Sequence, residues 1–191
     1  RQRQMCIRDR IRGIRPMLDG EHYTQISSDG KRLVKYSFKT GKEVATIFDV
    51  ETARDCTIKH FDDYIMSPNE SLILIQTDTK PIYRHSFTAN YYIFNVKNNK
   101  MEPLSTGGPQ QVPLFSPDGN QIAFVRNNNI YLVKLLFNNS ESQITTDGKY
   151  NEVLNGIPDW VYEEEFGFNR AFDFSADSKM IAYILSLIHI S

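Results

Sequence analysis

Short apolar stretches with period-two alternation recur along the chain, and each is joined to the next by a similar polar turn. The phrases are Ser28-Asp29-Gly30-Lys31-Arg32-Leu33-Val34, Ser67-Pro68-Asn69-Glu70-Ser71-Leu72-Ile73, Ser116-Pro117-Asp118-Gly119-Asn120-Gln121-Ile122-Ala123 and Ser175-Ala176-Asp177-Ser178-Lys179-Met180-Ile181-Ala182. Each predicts a turn followed by a strand. Ser-Pro-Asp-Gly combines a proline with a preset dihedral, an aspartate that caps its own turn and a glycine tolerant of positive φ. A short apolar strand precedes the turn, as at Pro113-Leu114-Phe115 and Phe172-Asp173-Phe174. In the third copy a further strand, Asn129 to Lys134, follows the loop at Arg126-Asn127-Asn128. The pattern is that of an antiparallel meander.

The phrase serines at 28, 67, 116 and 175 are separated by 39, 49 and 59 residues. Such intervals are close to the roughly 40–50 residues of a four-stranded propeller blade, and their widening points to insertions between strands. A β-sandwich with chance similarity among its turns is the competing architecture. Four copies of turn plus strand in order favour the propeller. The fold class expected is therefore all-β: a partial β-propeller of about four four-stranded antiparallel blades, with one short helix inserted near residues 158–166. A propeller closes into a ring so that its blades cover one another, and about four blades imply a larger parent ring.

The two ends, RQRQMCIRDR and LSLIHIS, continue no neighbouring pattern. Residues 1–10 and 185–191 are read as non-native ends, which leaves 11–184 as an incomplete N-terminal propeller domain. Without the first ten residues, which hold four arginines and one aspartate, the formal net charge moves from −1 to −4. That acidic balance argues against nucleic acid as a partner. Cys56 becomes the only native cysteine, so no disulfide can form within this piece, and a small buried side chain is its expected role. No run of about 18 apolar residues is present, so no signal or membrane segment is read in this piece.

The longest insertion, between Leu135 and Phe172, contains Gly156-Ile157-Pro158-Asp159-Trp160-Val161-Tyr162-Glu163-Glu164-Glu165-Phe166-Gly167. Pro158 and Asp159 suit a helix start, the glutamates suit the positive end of its dipole, and Gly167 stops it. Three successive glutamates repel one another, and Trp160, Tyr162, Phe166 and Phe168 around them imply partial desolvation. A bound cation would relieve that repulsion: an ammonium group between two carboxylates and beside aromatic rings gains charge-assisted hydrogen bonds and cation–π attraction. The plainer alternative is a solvated acidic face whose aromatic residues lie in the core.

The stretch Asp159-Trp160-Val161-Tyr162-Glu163-Glu164-Glu165 closely resembles the glutamate-helix motif of the dipeptidyl peptidase IV family of serine peptidases. In that family the last two glutamates of the run bind the free amino-terminus of a peptide substrate, which by resemblance falls on Glu164 and Glu165, with Glu163 a neighbour of lesser role. Upstream, Tyr83-Arg84-His85-Ser86-Phe87-Thr88-Ala89-Asn90-Tyr91 resembles the family segment whose arginine contacts a substrate backbone carbonyl, here Arg84. His85 reads as a turn or packing residue. The resemblance implies that Glu164, Glu165 and Arg84 converge on one cavity as a clamp for the substrate's first residue.

In this family peptide hydrolysis uses a Ser-Asp-His triad on a separate α/β-hydrolase domain, with the serine on a G-x-S-x-G elbow. No G-x-S-x-G occurs here, and His22, His60, His85 and His189 show no partner pattern, so no catalytic residue is assigned. The resemblance implies a parent exopeptidase that releases amino-terminal dipeptides, with proline or alanine preferred in second place. It further implies a periplasmic or cell-surface parent, no cofactor and no metal, a C-terminal hydrolase domain as intramolecular partner, and room for a homodimer. The competing class is a non-enzymatic propeller scaffold for protein partners. Coding sequence beyond residue 184 separates the two.

Overall fold

Each turn phrase folds as a hairpin closed by the same set of hydrogen bonds. In the computed structural model, which describes residues 13–188, Ser116 Oγ donates to Asp118 Oδ1 at 2.6 Å and accepts from Gln121 N at 3.0 Å. Asp118 Oδ1 in turn accepts from Asn120 N at 3.0 Å, and Gly119 N donates to Ser116 O at 2.8 Å. The same four bonds form around Ser67 and Asn69, and around Ser175 and Asp177. In the first copy they form around Ser27, not Ser28. Ser28 therefore occupies the place of Pro68, Pro117 and Ala176, and the intervals between structurally equivalent serines are 40, 49 and 59. The fourth turn residue has positive φ in every copy: Gly30 69°, Glu70 59°, Gly119 73° and Ser178 61°. Side-chain bonds from Ser67 and Asn69, and from Ser175 and Asp177, hold Glu70 and Ser178 in a conformation that glycine adopts without strain.

These turns join strands into successive antiparallel sheets. The first contains β1 (Arg15–Pro16), β2 (His22–Ile26), β3 (Arg32–Ser37) and β4 (Glu43–Asp49), paired in chain order. The second contains β5 (Asp63–Met66), β6 (Leu72–Pro81), β7 (Phe87–Asn95) and β8 (Lys100–Pro103), and the third β9 (Gln111–Phe115), β10 (Gln121–Arg126), β11 (Asn129–Lys134) and β12 (Ser140–Gln143). In the third, Asn127 and Asn128 make the two-residue loop between β10 and β11 with φ of 49° and 62°. Consecutive positive φ values match the right-handed twist of the strands they join. The last part of the chain forms two pairs, β13 (Val153–Asn155) with β16 (Leu185–Leu187), and β14 (Phe172–Phe174) with β15 (Ile181–Tyr183). The architecture is a partial propeller of three complete blades and the strands of a fourth. Residues 1–12 and 189–191 lie outside the described residues, and with them the expected end 1–10, whereas 185–187, set aside in the sequence reading, form β16.

The cores lie between blades. Leu33 and Phe48 of the first sheet pack with Tyr64, Ile73, Ile75, Phe94 and Met101 of the second. Phe48 meets Phe94 with ring centroids 4.8 Å apart and Phe61 at 5.3 Å. A second cluster joins Leu74, Tyr91 and Ile93 to Phe115, Ile122, Phe124 and Val133, and a third joins Val125, Ile130 and Leu132 to Leu154, Ile157 and Phe172. The second and third sheets thus bury both faces against neighbours, which produces runs such as Leu72-Ile73-Leu74-Ile75 instead of strict alternation. A buried polar pair fixes the first two blades: Thr24 Oγ1 and Tyr64 Oη are 2.6 Å apart. Burial pushes the Tyr64 phenol above its ordinary range, so it stays a neutral hydrogen-bonding group.

Two excursions leave this frame. The β6–β7 hairpin reaches to Pro81↔Phe87, with a bulge between Thr77 and Lys80, and carries Arg84 on its tip. The segment between β13 and β14 holds the helix α1 (Trp160–Phe166). Among the described residues no helix is long and apolar enough to cross a membrane.

Candidate functional site

Helix α1 has only seven residues, too few to persist in water without help, so its ends decide its stability. Asp159, extended at φ −70° and ψ 169°, accepts from Val161 N at 3.0 Å and Tyr162 N at 3.1 Å. The helix therefore begins at Trp160, with Pro158 and Asp159 before it. Asp159 is itself held, because Ser186 Oγ donates to its Oδ2 at 2.9 Å. At the other end Gly167 takes a left-handed conformation (φ 68°, ψ 24°) and its N–H donates to Glu163 O. These are the polar cap and glycine stop that the sequence suggests.

Consecutive helical residues are rotated by about 100°, so three adjacent glutamates cannot share a face. Glu163 points inward and is 1% exposed, while Glu164 and Glu165 point outward. Splitting the run in this way relieves its repulsion. The aromatic residues do not enclose the carboxylates: Trp160, Tyr162 and Phe166 are themselves exposed. Tyr162 stacks on Phe166 at 5.6 Å, and Phe166 lies 6.5 Å from Phe168, so an aromatic strip runs beside the outward glutamates.

The tip of the β6–β7 hairpin meets this helix. Arg84 Nη1 lies 3.5 Å from Glu164 Oε2, although the residues are 80 positions apart in sequence. The side chains retain 71% and 43% of their exposure, so the pair stands in a high-dielectric setting and adds at most about 1 kcal/mol to stability. Glu165 makes no ion pair with Arg84. Beside them lies a cleft of about 630 Å³ lined in part by Tyr83, Ser86, Asn128, Asp159, Trp160 and Asn169. Tyr83 beside Arg84 and Asp159 and Trp160 at the start of α1 reach its wall, whereas Arg84, Glu164 and Glu165 themselves lie outside its lining, so the three do not share this cavity.

Two residues carry contacts that the sequence reading did not assign. Glu163 Oε1 accepts from His85 N at 2.6 Å and Ser86 N at 2.9 Å, and Asn169 Nδ2 donates to His85 O at 3.1 Å. A carboxylate on the inward face of a short helix requires donors, which was the available signal. The donors are backbone groups 77 and 78 positions away, which no local pattern reveals. Among the described residues no group of three or more His, Cys, Asp or Glu side chains could hold a metal ion.

Blades of four antiparallel strands, a long hairpin from the second and an acidic helix inserted before the last strands define an incomplete β-propeller with two excursions that meet. The family model for the dipeptidyl peptidase IV N-terminal region matches residues 67–186, and the chain belongs to that family. It is 35% identical to dipeptidyl peptidase 4 of Trichophyton equinum over 169 residues, which is 87% of this chain and 20% of the relative. Similarity to human prolyl endopeptidase FAP is 34% over 168 residues, 87% of this chain and 21% of that protein. The crystal structure of Porphyromonas gingivalis dipeptidyl peptidase 4 superposes with a TM-score of 0.87 at 46% identity, covering 92% of this chain and 25% of that one. The chain thus spans about a fifth to a quarter of the length of these relatives.

Proposed function

We propose that this chain is the substrate-recognition portion of a serine exopeptidase that releases amino-terminal dipeptides with proline or alanine in second position. Glu164 and Glu165 hold the substrate's free ammonium, and Arg84 orients a backbone carbonyl of the same residue. The observation that carries this reading is the approach of Arg84 to Glu164, two charged and exposed groups brought together from separate excursions of the fold. An exposed pair of this kind contributes little to folding, so its placement makes better sense as a binding device. Gripping the amine fixes which peptide bond reaches a nucleophile, because only a bond two residues away lies within range.

The nucleophile, its base and the oxyanion hole belong to a hydrolase domain of the same parent chain, and this piece alone has no turnover. The parent acts in the periplasm or at the cell surface and can pair as a homodimer. The test uses the full-length parent and a glycyl-prolyl chromogenic substrate. Glu164→Ala or Glu165→Ala should lower kcat/KM by about 2–5 kcal/mol, since each removes one partner of a charge pair that bound substrate takes out of water. An amine-acetylated substrate should lose most of the difference between wild type and variant. Equal losses on free and blocked substrates would refute the clamp and indicate damaged folding.

A further inference from the structure

Arg84 has little around its side chain to fix it: it is 71% exposed and its ion-pair partner, Glu164, is 43% exposed. Its backbone is differently placed. Ile82 N and Tyr83 N both donate to Ser86 O, at 2.9 and 3.3 Å, so the tip closes on itself around Arg84. The two amides that follow Arg84, His85 N and Ser86 N, converge on Glu163 Oε1, and the carbonyl between them is taken by Asn169. Glu163 is 1% exposed and sits immediately before Glu164.

From this geometry we infer that Glu163 is a positioning residue that bolts the hairpin tip to α1 and so sets the distance between Arg84 and the outward carboxylates. The inference rests on the clamp reading above and gives Glu163 no contact with substrate. A carboxylate that accepts two backbone N–H groups makes stronger bonds than a neutral acceptor, and the Ser86 bond is buried and the His85 bond part-buried, so losing the acceptor strands at least the Ser86 donor. No local substitute is at hand. The Ser86 hydroxyl is itself buried without a partner among the described residues.

The experiment is a double-mutant cycle in the full-length parent, assayed on a free-amine dipeptidyl substrate, with amide exchange by mass spectrometry on the same proteins. Glu163→Ala should lower kcat/KM by roughly 10- to 100-fold, chiefly through KM, and by less than about threefold when Arg84 is already alanine, because only coupled residues lose additivity. Glu163→Gln should recover most of the activity, since one amide oxygen in the same place accepts both N–H groups. Exchange at His85 and Ser86 should accelerate in Glu163→Ala while the strands keep their protection. Should the alanine variant fail to fold, Glu163→Asp withdraws the acceptor by one methylene and should give a smaller loss that likewise vanishes in the Arg84→Ala background. Additive losses, or a glutamine variant as impaired as alanine, would overturn the inference. If Arg84→Ala leaves kcat/KM unchanged, the clamp reading fails, and unaltered exchange at His85 and Ser86 in Glu163→Ala overturns the bolt whatever the kinetics.

Discussion

Gly167→Ala isolates the contribution of one backbone angle to the acidic helix. Gly167 lies at φ 68°, and an added Cβ would meet nothing within 4 Å. The substitution therefore introduces no clash, and its cost is that of a left-handed L-residue, about 1–2 kcal/mol. The load falls on a seven-residue helix whose last turn is closed by Gly167 N to Glu163 O at 2.9 Å. A change of that size shifts a local opening equilibrium by roughly 5- to 30-fold. Hydrogen exchange should show that loss of protection at residue 167 and at Glu163, whose N–H donates to Asp159 O at 3.0 Å, with β10 and β11 unaffected. Gly167→Asn should be milder, because asparagine tolerates the left-handed region. Equal protection in glycine and alanine proteins, or an asparagine variant as frayed as alanine, would refute the reasoning.

Phe48→Ala should cost about 3–5 kcal/mol, read as a shift of the urea midpoint, because it removes a ring 1% exposed that spans the first two blades. Arg84→Ala should shift stability by no more than about 1 kcal/mol in the same assay, as befits an exposed pair. Asp29, Asp118 and Asp177 are each held below the usual carboxylate range, first by the hydrogen bond from the phrase serine. A lowered folded-state value means that their contribution is complete above about pH 4, the unfolded value, and is lost as pH falls through the depressed one. Asp118→Asn, which copies Asn69 of the second blade, should therefore flatten part of the acid limb of a stability–pH curve measured between about pH 5 and 2.

The blades were legible because their signal is local. Ser116, Pro117, Asp118 and Gly119 make their defining bonds within five residues, so their chemistry and geometry sit in one stretch of sequence. The one-residue slip in the first copy arose where Ser27 and Ser28 stand side by side, and only the bond from Ser27 Oγ to Asp29 identifies the right serine. The helix could be read because Asp159 and Gly167 act on their immediate neighbours. Glu163 could not: its partners come from another blade, and its burial depends on where the β6–β7 tip arrives. The expected aromatic enclosure failed for a related reason, since Tyr162 and Phe166 stack along the helix surface and leave the carboxylates open to solvent.

The β6–β7 hairpin is also a length gauge. Strand residues alternate between faces, so an arm that ends on a fixed contact can change its reach only in steps of two residues, about 6.6 Å each. A single inserted residue would turn every side chain beyond it to the opposite face unless a bulge absorbed it, and the irregular register between Thr77 and Lys80 is already such a place. Reach and aim are thereby set at different points of one hairpin. Pairs added beyond the bulge would carry Arg84 outward without turning it, whereas changes at Asp78 and Thr79, inside the irregularity, would alter its aim. The interblade cores at Phe48 and Phe124 would register neither adjustment, which leaves the rim of the propeller free to be resized on a constant frame.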